Sequence, residues 1–105
     1  MENCVIYCTV PNDFAANLLA TTLVDESLAA CVNIVPSITS VYKWEGGVQT
    51  DNELLLIIKT QQSKFDEVEA RIKELHEYST PEVIALPIIK GSNEYQNWII
   101  KETSC

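Results

Sequence analysis

Residues 32–60 read VNIVPSITSVYKWEGGVQTDNELLLIIKT, a sequence with the pattern of two strands joined by a turn. Apolar residues stand mostly at even positions from 32 to 44 and polar residues fall between them, which predicts a strand that bends at Pro36. The pair Gly46-Gly47 predicts a hairpin turn, because glycines accept the positive φ angles of tight connections. The next strand returns through Glu53 to Thr60. The middle of the chain is therefore expected to be a β-hairpin.

Strand and helix patterns flank this hairpin on both sides. Before it, the β-branched and aromatic residues 4–9 predict a first strand, and apolar residues at three- to four-residue intervals predict a helix over residues 13–26. After it, Ser63 and Asp66 are spaced as in a capping box. They predict the start of a second helix, which ends near His76.

The remaining residues predict a last strand and a short helix. Pro81 forces an extended entry into the apolar residues 83–86, and Ser92 opens a terminal helix. The order is βαββαβ plus that helix. This is the ferredoxin-like pattern of an α+β protein, in which two helices cover one face of a four-stranded antiparallel sheet.

Length and composition indicate one domain. At 105 residues and 47% hydrophobic, the chain is long enough for one core and too short for two, so a single domain is expected over residues 1–105. No run of about 18 apolar residues could span a bilayer, and no signal peptide is recognisable, which predicts a cytoplasmic protein with no membrane partner. The net charge of −8 repels phosphate backbones and argues against nucleic acid as a partner.

The four cysteines, Cys4, Cys8, Cys31 and Cys105, lack the CxxC spacing of zinc and redox motifs. Cys4 and Cys8 would lie about 13 Å apart on one extended strand. A disulfide joins residues whose Cα atoms are at most roughly 7 Å apart, so reduced thiols are expected. Cys31 is predicted to lie in the core, and Cys105 to be exposed.

Two predicted strands are apolar on both faces, LLLII at residues 54–58 and VIALPII at residues 83–89. In an antiparallel sheet with helices on one side, the other face meets water, and these residues would form a large apolar patch there. A second copy of the chain is expected to cover that patch. The alternative is that the terminal helix folds over it.

Six short motifs stand in order along nearly the whole chain. They are CTVP at 8–11, LAACV at 28–32, YKWEG at 42–46, IKT at 58–60, HEYSTPE at 76–82, and Tyr95 with Trp98. Together they resemble the CutA family. The resemblance implies a ferredoxin-like protomer, a homotrimer similar to that of the PII signalling proteins, and a link to tolerance of copper and other divalent metals.

Cys8 and His76 are the candidate metal ligands, since a thiolate and a neutral imidazole suit copper or zinc. The resemblance implies copper ligands at these two positions. Some relatives have a histidine pair where this chain has Leu75-His76, so one implied ligand is missing and the site would be weak and open. The alternatives are a small buried cysteine on a strand and a helix-end histidine with local hydrogen bonds.

A second candidate site joins Trp44, Lys59, His76 and Tyr78 in a cleft between subunits. Because PII-like relatives bind ligands in such clefts, the resemblance implies a small anion or metabolite there. The alternative role for the ring of Trp44 is a trimer contact. The acidic residues between 67 and 77 are expected to pair with basic neighbours on a solvated helix face rather than to bind a cation.

Common catalytic signatures, including the P-loop, the dinucleotide fingerprint, HExxH and GxSxG, do not occur. Cys8 in mid-strand lacks the helix-start or glycine-rich setting that activates a catalytic thiolate. The chain is therefore expected to be no enzyme and to require no cofactor, with copper(II) or another divalent cation as a candidate ligand. Three functions stay open: a metal-tolerance trimer, a PII-like small-molecule sensor, and a structural trimer that anchors another protein.

Overall fold

A computed structural model describes residues 2–104, and its elements follow the predicted order. The strands are β1 (Asn3–Val10), β2 (Cys31–Trp44), β3 (Gly47–Gln61) and β4 (Ile84–Pro87). The helices are α1 (Asp13–Asp25), α2 (Phe65–Leu75) and α3 (Asn93–Glu102), and a 3-10 turn (Gln62–Lys64) precedes α2. Within residues 2–104, none of the helices has the length and apolar character needed to cross a membrane.

The four strands form one antiparallel sheet in the order β2-β3-β1-β4, which confirms the ferredoxin-like α+β fold. Alternate residues of β1, beginning with Cys4 and Ile6, are buried against α1 and α2, as are Leu56 and Ile58 of β3. The opposite side of the sheet, which we call the second face, carries the residues between them, including Val5 and Leu55.

The hairpin turn lies one residue earlier than the sequence predicts. Trp44 pairs with Gly47, so the two turn residues are Glu45 and Gly46, and Gly47 already belongs to β3. Both turn residues have positive φ, 50° and 83°, as a two-residue type I′ turn requires. The prediction of Gly46-Gly47 as the turn was therefore wrong by one position, because strand pairing extends to Gly47.

The outer half of the hairpin projects from the sheet. A bulge between Val35 and Ile38, with Ser37 at φ 61°, bends β2 beside Pro36 as predicted. Beyond the bulge, residues 38–44 pair with residues 47–53 of β3, and β1 does not extend to them. We call this two-stranded segment the arm. The radius of gyration of 14.2 Å, against about 12.9 Å for a compact domain of this length, reflects the projection.

Helix α3 covers one end of the second face. The Gln61 side chain donates a hydrogen bond to Thr103 Oγ1 at 2.8 Å, and the Asn3 side chain donates to the Gln96 carbonyl at 3.2 Å. Ile99 of α3 is fully buried by this docking. The terminal helix therefore does fold over the second face, but only at this end of the sheet.

Apolar side chains elsewhere on the second face stay accessible in the protomer. Ile84 and Leu86 of β4 pair with Tyr7 and Val5, which places them on this face, and they are 51% and 43% exposed. Cys31 lies opposite Lys59, so strand alternation puts it on the second face as well. It is half-buried there, and the prediction that it lies in the core was wrong. Cys105 lies outside the described residues.

The helix starts differ in how their free N–H groups are satisfied. Asn12 accepts the Ala15 N–H at 2.8 Å at the start of α1, and Ser92 accepts the Tyr95 N–H at 3.2 Å at the start of α3. The capping box predicted at Ser63 does not form. Lys64 occupies the cap position of α2 without a side-chain bond, because Ser63 is inside the preceding 3-10 turn.

Replacing Asn12 with Ala removes the acceptor for the Ala15 N–H, and we expect the free energy of unfolding to fall by about 1 kcal/mol. Urea unfolding at one fixed protein concentration measures the change, because the stability of an oligomer depends on concentration. Asn17→Ala is the matched control. Asn17 is exposed inside the same helix, and its side chain donates only an exposed hydrogen bond to the Asp13 carbonyl. Alanine is favoured at such a position, so its replacement should cost little. Equal losses in both variants would contradict the capping role.

Candidate functional site

A groove of about 600 Å³ lies where β1 ends beside the arm. Its walls come from Thr9 at the end of β1, from the arm, and from the segment that follows α2. The side chains with the most distinctive chemistry are three rings and two carboxylates: Tyr42, Trp44, Tyr78, Glu53 and Glu82. No lysine or arginine lines the groove among residues 2–104.

Glu53 and Asp51 of the arm hold the two phenols of the groove. The Tyr78 hydroxyl donates to Glu53 Oε2 at 2.7 Å, and the Tyr42 hydroxyl donates to Asp51 Oδ2. Burial, followed by the bond to Glu53, raises the pKa of Tyr78. The bond to Asp51 is the main reason that the pKa of Tyr42 is raised. Both phenols therefore stay protonated near neutral pH and act as donors.

His76, the residue that ends α2, ties the segment after the helix to β1. Its Nδ1 accepts the Tyr78 backbone N–H at 3.1 Å, and its Nε2 lies 2.7 Å from the carbonyl oxygen of Thr9. Because Nδ1 accepts, Nε2 is the nitrogen that carries hydrogen and donates to Thr9. The His76 and Tyr78 rings lie 4.6 Å apart. The imidazole thus holds Tyr78 at the groove wall.

Cys8 directly precedes Thr9, which lines the groove, but its side chain lies on the other face of the sheet. Its side chain is fully buried in the core beneath α1 and α2. Burial raises the pKa of the Cys8 thiol to about 12, and the nearby charges of Glu82 and Glu53 add to the shift. The thiol donates a long hydrogen bond, 3.7 Å, to the carbonyl oxygen of Thr9. At neutral pH it is a protonated thiol.

The structure brings together three of the four residues predicted for a cleft. Trp44 and Tyr78 line the groove, and His76 accepts the backbone N–H of Tyr78. Lys59 lies elsewhere in the protomer: its Nζ donates to Asn33 Oδ1 at 2.7 Å and stands 5.8 Å from the centre of the Tyr95 ring. The anion expected at this cleft would meet two carboxylates there.

Sequence reasoning missed the carboxylates of the groove. Glu53 had one signal, a charged residue directly before the apolar run at 54–58, and Glu82 had none beyond its place in the motif HEYSTPE. The acidic residues of α2 behave as predicted. Ion pairs join Lys73 to Glu69 at 3.1 Å and Arg71 to Glu74 at 3.6 Å. Within residues 2–104, no three His, Cys, Asp or Glu side chains are grouped to hold a metal ion.

The relatives found by comparison with known proteins are proteins named CutA. Protein CutA, chloroplastic, from Arabidopsis thaliana is 56% identical over 99 residues, which cover 94% of this chain and 54% of that protein. The divalent-cation tolerance protein CutA from Thermus thermophilus is 48% identical over 99 residues, covering 94% and 96%. The chain therefore spans about half the length of the plant relative and nearly all of the bacterial one.

Solved structures show the same fold at high similarity. The crystal structure of CutA1 from Oryza sativa superposes with a TM-score of 0.96 at 53% identity, covering 98% of this chain and 94% of that one. CutA1 from Thermus thermophilus superposes with a TM-score of 0.95 at 47% identity, covering 97% and 99%. A family model described as CutA1 divalent ion tolerance protein matches residues 4–102. The chain thus belongs to the CutA1 divalent ion tolerance protein family.

Proposed function

We propose that this chain acts in tolerance of divalent metal ions, as a homotrimer that binds copper or a similar cation and catalyses no reaction. Family membership supports the link to divalent ions. The observation that carries the proposal is the negative charge gathered at the end of β1. Glu53 and Glu82 stand close enough to Cys8 to raise its pKa, and His76 bonds to the adjacent Thr9.

Cys8 and His76 do not form a preformed metal site within one protomer. The Cys8 thiol is protonated and fully buried, and both ring nitrogens of His76 already have hydrogen-bond partners. A divalent ion at these residues would need a rearrangement that frees a lone pair. The carboxylates of Glu53 and Glu82 offer oxygen ligands without such a change. Binding through Cys8 and His76 is therefore a proposal for titration to decide.

The homotrimer is proposed because the protomer exposes apolar side chains on two surfaces. On the arm, Val41 and Val48 are 66% and 72% exposed, and on the second face Ile84 and Leu86 are also accessible. Patches of this kind mark interaction surfaces in soluble proteins. A two-stranded arm is also marginally stable without a packing partner. The number three comes from the resemblance to trimeric PII signalling proteins.

The cytosol is the proposed location, since Cys4, Cys8 and Cys31 are free thiols. Location varies among relatives. The Arabidopsis thaliana protein is named chloroplastic, and a structure from Archaeoglobus fulgidus, with a TM-score of 0.95, is named periplasmic.

We expect sedimentation equilibrium to give a mass of about 35 kDa, three times the 11.8 kDa of one chain. Ile84→Lys should shift the protein toward the monomer, because burying an unpaired ammonium group at an interface costs several kcal/mol. Thr21→Lys adds the same charge at an exposed position of α1 and should leave the mass unchanged. A monomer mass for the wild-type chain at micromolar concentration would refute the trimer.

Calorimetric titration with copper(II) tests the metal proposal directly. If Cys8 and His76 are ligands, saturable binding should weaken at least tenfold in Cys8→Ser and in His76→Ala while sedimentation stays unchanged. Cys4→Ser is the matched control, because Cys4 is a second buried thiol on the same face of β1. Equal, weak binding in all four proteins would favour a sensor or structural trimer instead.

Alkylation measures how available the Cys8 thiol is. Since the thiolate is the reactive form, a pKa of about 12 instead of 9.0 should make Cys8 react about a thousandfold more slowly at pH 8 in the folded protein than in urea. Peptide mapping in a Cys105→Ser background follows Cys8 separately from Cys4 and Cys31. Equally fast alkylation of Cys8 in the folded and unfolded protein would contradict its burial.

A further inference from the structure

The groove beside the arm combines aromatic rings with negative charge, and no lysine or arginine of residues 2–104 lines it. We propose that it binds an organic ammonium ion, in particular an aliphatic diamine, between the rings of Tyr42, Trp44 and Tyr78 and the Glu53 carboxylate. This goes beyond the proposed metal function, because it uses neither Cys8 nor His76 as a ligand.

Glu53 is the carboxylate of the groove that a cation would meet. The residue is 6% exposed overall, and it lines the groove. Oε2 accepts the Tyr78 hydroxyl, whereas Oε1 has no hydrogen-bond donor and the carboxylate has no ion pair within residues 2–104. Oε1 is therefore free to accept a hydrogen bond from a ligand. An ammonium group in the groove would give this carboxylate both a donor and an opposite charge.

The three rings select an organic cation. Aromatic faces attract ammonium groups through their quadrupoles, and a cation held between rings and a carboxylate is stabilised by both. In the single protomer, Trp44 is 50% exposed, Tyr42 41% and Tyr78 37%, so each ring has surface that the protomer itself leaves uncovered. The phenols are tethered to Asp51 and Glu53, which fixes the rings before a ligand arrives. Such preorganisation lowers the entropy cost of binding.

A bare metal ion fits this groove less well than an organic cation. Calcium takes at least about six oxygen ligands, and no cluster of three acidic, cysteine or histidine side chains occurs among residues 2–104. The volume of about 600 Å³ suits a small molecule. An anion would be repelled by Glu53 and Glu82. Because the groove presents two carboxylates, a molecule with two ammonium groups matches it better than one with a single group.

Calorimetric titration of the full chain in its native oligomeric state tests the proposal. The probes are 1,4-diaminobutane, 1-aminobutane and succinate, which have four-carbon chains and different charge. We expect saturable binding of the diamine, at least tenfold weaker binding of the monoamine, and none of succinate. Glu53→Gln, which keeps an acceptor for Tyr78, should weaken diamine binding at least tenfold. Glu94→Gln at the exposed start of α3 should leave it unchanged.

Glu82→Gln separates the two carboxylates. It should weaken the diamine toward the affinity of the monoamine and change monoamine binding little, because only the diamine carries a second ammonium group for a second carboxylate. Trp44 fluorescence in a Trp98→Phe background reports whether the ligand lies in the groove. Saturable binding that leaves the Trp44 spectrum unchanged would place the amine elsewhere and overturn the proposal.

Several other results of the diamine titrations would contradict the amine site. Diamine binding that is absent, equal in Glu53→Gln, or matched by succinate overturns the proposal. If a basic side chain of a second copy occupied the groove, Glu53→Gln would change the sedimentation profile and diamine would not bind. That result too would overturn the proposal. Cys8→Ser should keep full diamine binding, because Cys8 does not line the groove. Copper titration of Cys8→Ser and diamine titration of Glu53→Gln therefore give separate answers for the metal function and the amine site.

Discussion

The antiparallel register between β1 and β3 determines which side chains face the helices and which lie on the second face. Eight consecutive pairs, from Asn3 with Gln61 to Val10 with Leu54, place both strands at the centre of the sheet. Alternate residues then form the core under α1 and α2, and the others form the second face. A slip of one residue would exchange the two sets, and the hydrophobic pattern on the helical side resists it.

The same alternation places two adjacent residues of the site on opposite faces of the sheet. Cys8 points into the core, where its thiol is held protonated, while Thr9 lines the groove. The Thr9 carbonyl accepts from both Cys8 and His76, so the backbone at this position links core and groove. The alternation of side chains along β1 thus keeps the Cys8 thiol, a soft metal ligand, away from the accessible surface of the groove.

Local patterns were enough to predict most of the fold, because strand alternation and helical periodicity are properties of neighbouring residues. The bend at Pro36 and the cap at Ser92 are examples that the structure confirms. Features set by pairing between distant residues could not be predicted. The turn at Glu45 depends on how far β2 and β3 pair, and the partnership of Glu53 with Tyr78 joins residues 25 positions apart. The family resemblance therefore indicated two rings of the groove, Trp44 and Tyr78, and missed its two carboxylates.

His76 connects the two binding roles proposed for this end of the sheet. Its two hydrogen bonds hold the segment of Tyr78 against β1, and they use both ring nitrogens. A metal ion can bind an imidazole only through a nitrogen lone pair, so it must displace one of these bonds. Displacement would loosen Tyr78, which lines the groove and donates to Glu53. Metal at His76 and an ordered groove thus oppose each other, and by linkage each would weaken the other by the same factor.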